Sequence, residues 1–361
     1  MNLLLVSVLV VLCCFFSMME LTGRKGYGIL FVILAGIFVY AVAVRNVNVV
    51  PDSANYINFY NWISAKNSFN VFRWNVSSNE NGFTFLLLIA KKLNLSYEEL
   101  FGVIALIELF VYMRAMSIMR VLMGWHKDFY CVYFSVWCGF WGLFYGAIVL
   151  RSGLAISFAF LSHAFILTGR KYKGLFYGLI AFMFHRTIII YPLIVISSRL
   201  ISVMSRRKSF IALFVLMTAW VMRLQNILFP LMLRTAVIFL AIFLPIGNIV
   251  LRYIEYAIGF VNGMIGLRAP LLMAFFIAVR PRNNKYYDYM QKIFFMNLIF
   301  SFVTSSVAIG GRLNSICMIV MLPMLCFYLL KNAAKLYERC AVCSIFIVWQ
   351  FIVSLKITGI S

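Results

Sequence analysis

Eight charged or polar residues that we expect on the outer side of the chain, within or next to its apolar runs, are of types that could act on an anionic substrate. They are Arg45, Asp52, Tyr56, Glu80, Arg151, His185, Arg186 and Arg312. An arginine guanidinium presents a planar fork of donors that suits phosphate oxygens, and a carboxylate can orient or deprotonate a hydroxyl group. If these residues converge on one cavity, they predict a site that binds a diphosphate head group and activates a hydroxyl nucleophile.

Three of these residues also fit purely structural roles. Arg151 stands at the boundary of an apolar run, where an arginine can extend toward the lipid head groups. Asp52 follows Pro51, so a turn or a helix N-cap explains it at least as well as catalysis does. Glu80 could belong to a solvated turn. Their types alone leave both interpretations open.

His185 and Arg312 raise the same question. A lone histidine in an apolar run is more often satisfied by local hydrogen bonds than catalytic, but the adjacent Arg186 favours a polar cavity. Arg312 follows Gly310 and Gly311, which allow a ligand to approach the backbone closely. We therefore retain His185 and Arg312 as site residues.

The histidines and acidic residues do not predict a metal site. There are three histidines in the chain, His126, His163 and His185, and they are scattered among only ten acidic residues. His163 is also excluded from the site, because twelve helical residues after Arg151 correspond to about 18 Å. A glycine-rich phosphate loop is missing from the sequence as well, so ATP-driven transport is not indicated. We expect no metal and no cofactor.

The overall composition excludes a water-soluble protein. The chain has 361 residues, of which 64% are hydrophobic and 12% charged, whereas soluble domains are roughly 45–50% apolar and about 25% charged. The formal charge of +22 could suggest nucleic acid as a partner. The basic residues, however, stand in clusters between apolar runs, as they do in cytoplasmic loops of membrane proteins. We therefore expect a lipid bilayer and no nucleic acid.

The apolar runs predict an all-α, polytopic integral membrane protein, because each crossing needs about 20 apolar residues in a helix that pairs its own backbone groups. The predicted spans are 2–18, 27–44, 100–119, 129–149, 152–168, 174–198, 209–222, 225–244, 248–265, 268–280, 292–309, 313–330 and 340–355. Some are too short to cross alone, so we expect about 10–13 crossings. The run 83–90 predicts a re-entrant or interfacial helix. A single transmembrane domain over residues 1–361 is expected.

Basic clusters between the spans predict the orientation, since such clusters remain in the cytoplasm. The clusters are Arg24/Lys25, Arg120/Lys127, Arg170/Lys171/Lys173, Arg280/Arg282/Lys285 and Lys331/Lys335/Arg339. The loop at about 45–82 then faces outward, together with Arg151 and Arg312. The clusters near residues 170 and 206 share the cytoplasmic side only if the run 174–198 doubles back, with a break near His185.

Four short elements follow one another in the first half of the chain. They are Arg45, Pro51, Asp52 and Tyr56 as an R…D…Y pattern, Glu80 in the segment 79–83, Arg151 at the start of a span, and His185 in the Phe-His-Arg-Thr segment 184–187. In this order they resemble the EpsG-type group of Wzy-like polysaccharide polymerases. The resemblance covers about residues 45–195. The second half is similar only in hydropathy and in Arg312, and residues 223–268 lack an extended polar outer loop.

The resemblance implies a reaction and its partners. A glycan held on polyprenyl (undecaprenyl) diphosphate is transferred to one lipid-linked repeat unit at the outer face of the bacterial inner membrane, which builds O-antigen, capsule or exopolysaccharide. The sugar–phosphate bond drives the transfer, so the resemblance implies no cofactor. A chain-length regulator and a flippase are candidate protein partners. We assign Asp52, Glu80 and His185 to catalysis, and Arg45, Tyr56, Arg151, Arg186 and Arg312 to substrate or diphosphate binding.

Other functions remain open at this stage. A flippase or transporter of lipid-linked units would be expected to have two-fold repeats and discontinuous helices, and the sequence contains no such repeat. Another membrane glycosyltransferase would place an acidic motif in its first outer loop, which Asp52 satisfies in part. An acyltransferase would use a histidine-centred site, for which His185 is the candidate.

Overall fold

The computed structural model describes residues 3–23, 27–47, 50, 52–64, 81–125, 127–146, 148–224, 268–281, 284–304, 318–330 and 335–358. All regular secondary structure in these stretches is helical. The predicted all-α fold class is therefore confirmed.

Fourteen α-helices lie in the described stretches. They are α1 (Leu3–Leu21), α2 (Tyr27–Ala43), α3 (Ser53–Ser64), α4 (Asn81–Lys92), α5 (Tyr97–Met123), α6 (Tyr130–Trp137), α7 (Leu150–Leu167), α8 (Lys171–Phe184), α9 (Ile190–Ser197), α10 (Arg206–Val221), α11 (Arg268–Ala278), α12 (Lys285–Val303), α13 (Met318–Leu330) and α14 (Leu336–Thr358). A π-helix, Cys138–Gly146, continues α6, and short 3₁₀ segments, Arg186–Ile189 and Ser198–Leu200, flank α9.

Among the described helices, α1, α5 and α7 are long and apolar enough to span a membrane. Shorter apolar helices lie at Tyr27–Ala43, Ala269–Ala278 and Ile319–Leu330. By helix length and hydropathy the chain is a multi-pass membrane protein. The number of crossings and their orientation stay predictions, and the predicted spans 225–244 and 248–265 lie outside the described residues.

Local capping explains why α5 is longer than the predicted run 100–119. Ser96 and Glu99 form a reciprocal capping box, in which the Glu99 backbone N–H donates to Ser96 Oγ at 3.2 Å and the Ser96 N–H donates to Glu99 Oε2 at 2.7 Å. The helix ends before Gly124, whose φ of 74° is in the left-handed region that glycine adopts without strain. Polar residues outside the apolar run therefore set both ends of the helix.

The described chain divides into two compact units, one formed by Met1–Ile189 with Leu325–Ser361 and the other by Ile190–Met324. In the second unit, α10 packs on α11, and α12 packs on α9 and α11. A salt bridge of 2.8 Å between Arg280 Nε and Asp288 Oδ1 stabilises the connection between α11 and α12. All candidate site residues that the structure describes lie in the first unit.

In the first unit, α7 and α8 form a helical hairpin. The turn contains Gly169 with φ of 81°, and the Ser162 hydroxyl donates to the Gly174 carbonyl oxygen at 2.7 Å. Phe158 stacks on Phe184 with ring centroids 5.6 Å apart. The run predicted at 174–198 is broken after Phe184, because His185 has an extended backbone with φ of −159° and ψ of 115°. The break near His185 that the predicted orientation requires is present.

Glu20 of α1 caps the N-terminus of α6. The N-cap residue of α6, Phe129, forms no side-chain capping hydrogen bond. The Val132 N–H in the first turn instead donates to Glu20 Oε2 at 2.9 Å, and Glu20 is buried. A carboxylate at a helix N-terminus satisfies an orphan N–H and complements the helix dipole. Glu20 thereby ties α1 to α6.

The helix predicted at 83–90 is present as α4, and it approaches α8 closely at Gly82. A Cβ atom added to Gly82 would lie 3.0 Å from the backbone carbon, the carbonyl oxygen and the Cβ of Met183. Backbone atoms cannot rotate away from such a contact. The glycine therefore permits α4 to pack against the end of α8, two residues before His185.

We predict that Gly82→Ala destabilises the protein by about 1–3 kcal/mol, the usual range for an overpacked contact. Gly28→Ala is a matched control, because Gly28 lies in α2 with no atom within 4 Å of its added Cβ. There the higher helix propensity of alanine should leave stability unchanged or slightly increased. Thermal unfolding of the purified variants in detergent measures both effects. Equal melting temperatures for wild type and Gly82→Ala would contradict this close approach of α4 and α8.

Candidate functional site

Arg45 lies just after α2 and is buried, with 4% of its surface exposed. Its guanidinium carbon is 3.6 Å from the centroid of the Phe101 ring in α5, a cation–π contact. Burial lowers the pKa of Arg45 to about 9, while the neighbouring Tyr56 acts in the opposite direction. The group therefore still carries its positive charge at neutral pH.

Asp52 is the residue before α3, and its backbone has φ of 64°. Left-handed conformations are uncommon for residues other than glycine, although aspartate and asparagine tolerate them best. The Asp52 carbonyl oxygen accepts from the Tyr56 N–H at 3.1 Å, which starts the helix. Its side chain is exposed. Asp52 thus combines a turn-forming backbone with an accessible carboxylate.

Tyr56 connects the segments that carry the other candidate residues. Its side chain is buried, and its ring centroid is 5.4 Å from that of Phe83 in α4. The hydroxyl accepts hydrogen bonds from the side chain and the backbone N–H of Arg151. Burial raises the pKa of Tyr56, the Arg151 charge lowers it, and the Asp52 charge raises it again. The Tyr56 hydroxyl group is therefore influenced by the charges of three residues, Arg45, Asp52 and Arg151.

Arg151 occupies the first turn of α7. The guanidinium carbon is 6.0 Å from the centroid of the Tyr56 ring. The N-cap residue of α7, Val149, makes no side-chain capping hydrogen bond. A helix N-terminus with an arginine beside it is electrostatically favourable for an anion.

His185 and Arg186 directly follow α8, the partner of α7 in the helical hairpin. Phe184 stacks on Phe158, which is seven residues, about 10 Å, beyond Arg151 along α7. Phe184 lies at this level because α8 is shorter than α7. With 14 residues against 18, α8 ends before it reaches the level of the first turn of α7. His185 is half-buried and Arg186 exposed. The Arg186–Ile189 segment packs against α7.

The structure thus brings together four of the eight predicted residues, Arg45, Asp52, Tyr56 and Arg151, which we call the Tyr56 cluster. His185 and Arg186 are connected to it through α7 and through the α4–α8 contact at Gly82. Glu80 and Arg312 lie outside the described residues, and their placement stays a prediction. Within the described residues, no group of three or more His, Cys, Asp or Glu side chains could hold a metal ion.

Sequence reasoning overlooked Glu108 in the middle of α5. Its side chain is 0% exposed, and neither carboxylate oxygen has a hydrogen-bond partner among the described residues. A Cβ on Gly153, two residues after Arg151, would lie 2.5 Å from Glu108 Oε2. Ionisable residues within membrane helices mark functional sites by default. The sequence does contain a signal for this residue, since a glutamate is rare inside an apolar run such as 100–119.

Comparisons with known proteins support one family assignment. Neither the curated proteins nor the solved structures gave a match to this chain. The sequence profile of the EpsG family matches residues 28–361, which includes the second half, where the motif resemblance was weak. The chain belongs to the EpsG family.

Proposed function

We propose that the protein is a polymerase that joins polyprenyl-diphosphate-linked oligosaccharide repeat units at the outer face of a bacterial cytoplasmic membrane. The protein belongs to a membrane protein family associated with exopolysaccharide biosynthesis, and this gives the proposal its substrate class. The Tyr56 cluster gives it a site. Glycosyl transfer from a lipid diphosphate needs cationic groups for the leaving group and an acceptor for one proton.

The observation that carries the proposal is the convergence of Arg45 and Arg151 on Tyr56. These arginines are more than one hundred residues apart in the sequence, and each interacts with the same buried phenol. Two guanidinium groups beside one phenol make this a place where positive charge is held in a poorly solvated setting, which favours an anionic ligand. A diphosphate carries the charge and the acceptor oxygens that match two guanidinium groups.

The proposed reaction transfers the growing glycan from its lipid carrier. A hydroxyl of the lipid-linked repeat unit attacks the anomeric carbon of the glycan, and the bond between that carbon and the diphosphate oxygen breaks. The hydroxyl proton passes to a carboxylate or imidazole, and the bonding electrons leave with the polyprenyl diphosphate. Arginines aimed at the oxygen where charge develops stabilise the transition state more strongly in a dry site than in water.

Asp52 is a proposed proton acceptor beside the arginines, because its exposed carboxylate acts on Tyr56 together with Arg151. Glu80 and His185 retain their predicted catalytic roles, and Arg186 its predicted role in substrate binding. His185 follows Phe184, whose ring stacks on Phe158 about 10 Å beyond Arg151 along α7, and this separation suits contact with a sugar rather than with the diphosphate. No step of the proposal needs a metal or a cofactor.

Reconstitution tests the proposal against a flippase and against a transferase that adds one group. The purified protein is placed in vesicles with lipid-linked repeat units and no other enzyme. A ladder of longer glycans supports polymerisation. Unchanged units that have only crossed the bilayer indicate a transporter, and addition of a single residue or acyl group indicates another transferase.

We predict that Arg151→Ala and Arg312→Ala each reduce chain growth by roughly 10²–10³-fold, the usual effect of removing a donor that stabilises developing charge. Arg→Lys at either position should also impair growth, since an ammonium group cannot form the bidentate contact. Product ladders from vesicles with equal amounts of protein measure the effect. Arg170→Ala is the control, because Arg170 lies exposed at the opposite end of α7. Normal growth in both alanine variants would refute the diphosphate site.

We predict that Asp52→Asn and Asp52→Gly both lower the rate of polymerisation by about 10²–10⁴-fold, the range for loss of a general base. Asparagine and glycine both tolerate the left-handed backbone at φ of 64°, so the turn before α3 is retained. Rates at saturating substrate, with melting temperatures as a check on folding, distinguish the two roles of Asp52. If both variants keep the wild-type rate, Asp52 forms the turn and has no part in the chemistry.

A further inference from the structure

An apolar groove runs along the surface between α2 and α5, with a volume of about 1040 Å³. It is lined by Gly36, Val39 and Ala43 of α2 and by Gly102, Leu106 and Phe110 of α5, among others. Phe110 is 72% exposed. In a helix that spans a membrane, such a surface faces lipid. We call this feature the α2–α5 groove.

The length of the groove matches the thickness of a bilayer. Its lining along α5 extends from Glu98 to Ser117, which corresponds to about 28 Å at 1.5 Å per residue. The hydrocarbon core of a membrane is about 30 Å thick. An acyl chain of a phospholipid covers about half of that depth. A single long apolar chain can therefore occupy the groove along its whole length.

Two glycines of the groove differ in their surroundings. At Gly102 the helices α2 and α5 are in contact, since an added Cβ would lie at ordinary van der Waals distance, 3.5 Å from Val39 Cγ1 and 3.6 Å from Ala43 Cβ. Gly36, in contrast, has no atom within 4 Å of its added Cβ. Glycine at Gly36 is thus not required by contacts within the protein, and its effect is to keep the groove open.

One end of the groove adjoins the Tyr56 cluster. Ala43 lies two residues before Arg45, and Gly102 follows Phe101, on whose ring the Arg45 guanidinium lies. The rim formed by the first turn of α5 carries Glu98 and Glu99. These carboxylates repel an anion, so a head group at this end of the groove depends on Arg45 for a positively charged partner.

We propose that the α2–α5 groove binds the polyprenyl chain of the lipid-linked substrate, with the attached diphosphate at the Tyr56 cluster. This inference rests on the proposed function, which supplies the substrate class. A chain already dissolved in the bilayer gains little hydrophobic free energy on entering the groove, so packing against α2 and α5 holds it. A single isoprenoid chain fits a narrow groove better than a two-chain lipid does.

Two tryptophan substitutions test the groove. Gly36→Trp places an indole in the groove, and its Cβ meets no protein atom within 4 Å, whereas Gly28→Trp places an indole on α2 outside the groove with an equally free Cβ. Wild type and both variants are incorporated into vesicles of phosphatidylethanolamine and phosphatidylglycerol. They are photolabelled with a polyprenyl diphosphate that carries a diazirine near the middle of its chain, and the labelled peptides are mapped. A diazirine phosphatidylglycerol serves as a second probe.

We expect the polyprenyl probe to label α2 and α5 in wild type and in Gly28→Trp. Labelling of these helices in Gly36→Trp should fall at least about fivefold, because an inserted bulky group displaces a closely packed ligand. The phosphatidylglycerol probe should label all three proteins equally. Excess farnesyl diphosphate should compete with the polyprenyl probe, since both use the same arginines.

Two results would overturn the groove assignment, even for a wild type that polymerises normally. One is equal labelling of Gly36→Trp and wild type by the polyprenyl probe. The other is a parallel loss of phosphatidylglycerol labelling in Gly36→Trp, which would identify a site for ordinary lipid. Expected labelling in a wild type that forms no glycan ladder would instead refute the polymerase and uphold the groove as a polyprenyl site.

Discussion

Transfer of a charged group from water into a helical membrane protein costs several kcal/mol unless the group finds a partner. This constraint explains the packing of the first unit. The buried Arg45 lies on the face of Phe101, Arg151 donates to Tyr56, and Glu20 accepts the Val132 N–H. Each contact joins elements that are distant in sequence, so the charges help to determine which helices pack together.

The apolar runs predicted the fold class because the bilayer imposes a single requirement on every crossing segment. The ends of the helices depend on other interactions. The start of α5 is set by a capping box at Ser96, and α8 is interrupted where His185 adopts an extended backbone. Helix α3, within the predicted loop 45–82, has no apolar run to reveal it. The π-helix Cys138–Gly146 was not predicted either, and in it Gly142 lies so close to Trp137 that an added Cβ would be 2.7 Å from the ring.

The order of motifs predicted that Arg45, Asp52, Tyr56 and Arg151 belong to one site, and the described residues do bring these four together. Sequence could not reveal that Tyr56 is the residue on which the others converge, because this depends on how α3 packs against α4 and α7. It also could not show that α8 ends beside Phe158 of α7, about 10 Å beyond Arg151. Glu108 was overlooked because its neighbours on other helices, Gly146 and Gly153, become its neighbours only after packing.

Exposure changes across the Tyr56 cluster in the direction that a glycosyl transfer from lipid would need. Asp52 is exposed and Arg151 half-buried, whereas Tyr56 and Arg45 are buried. Sugar hydroxyls arrive from water, so an exposed carboxylate can accept their proton and release it again. In the proposed reaction the diphosphate stays attached to a chain in the membrane, so its negative charge would develop where arginines are poorly solvated and act most strongly. The opposite arrangement, with buried carboxylates and exposed arginines, would suit the reaction less well. A buried carboxylate could not exchange its proton with water, and exposed arginines would stabilise the leaving diphosphate less strongly.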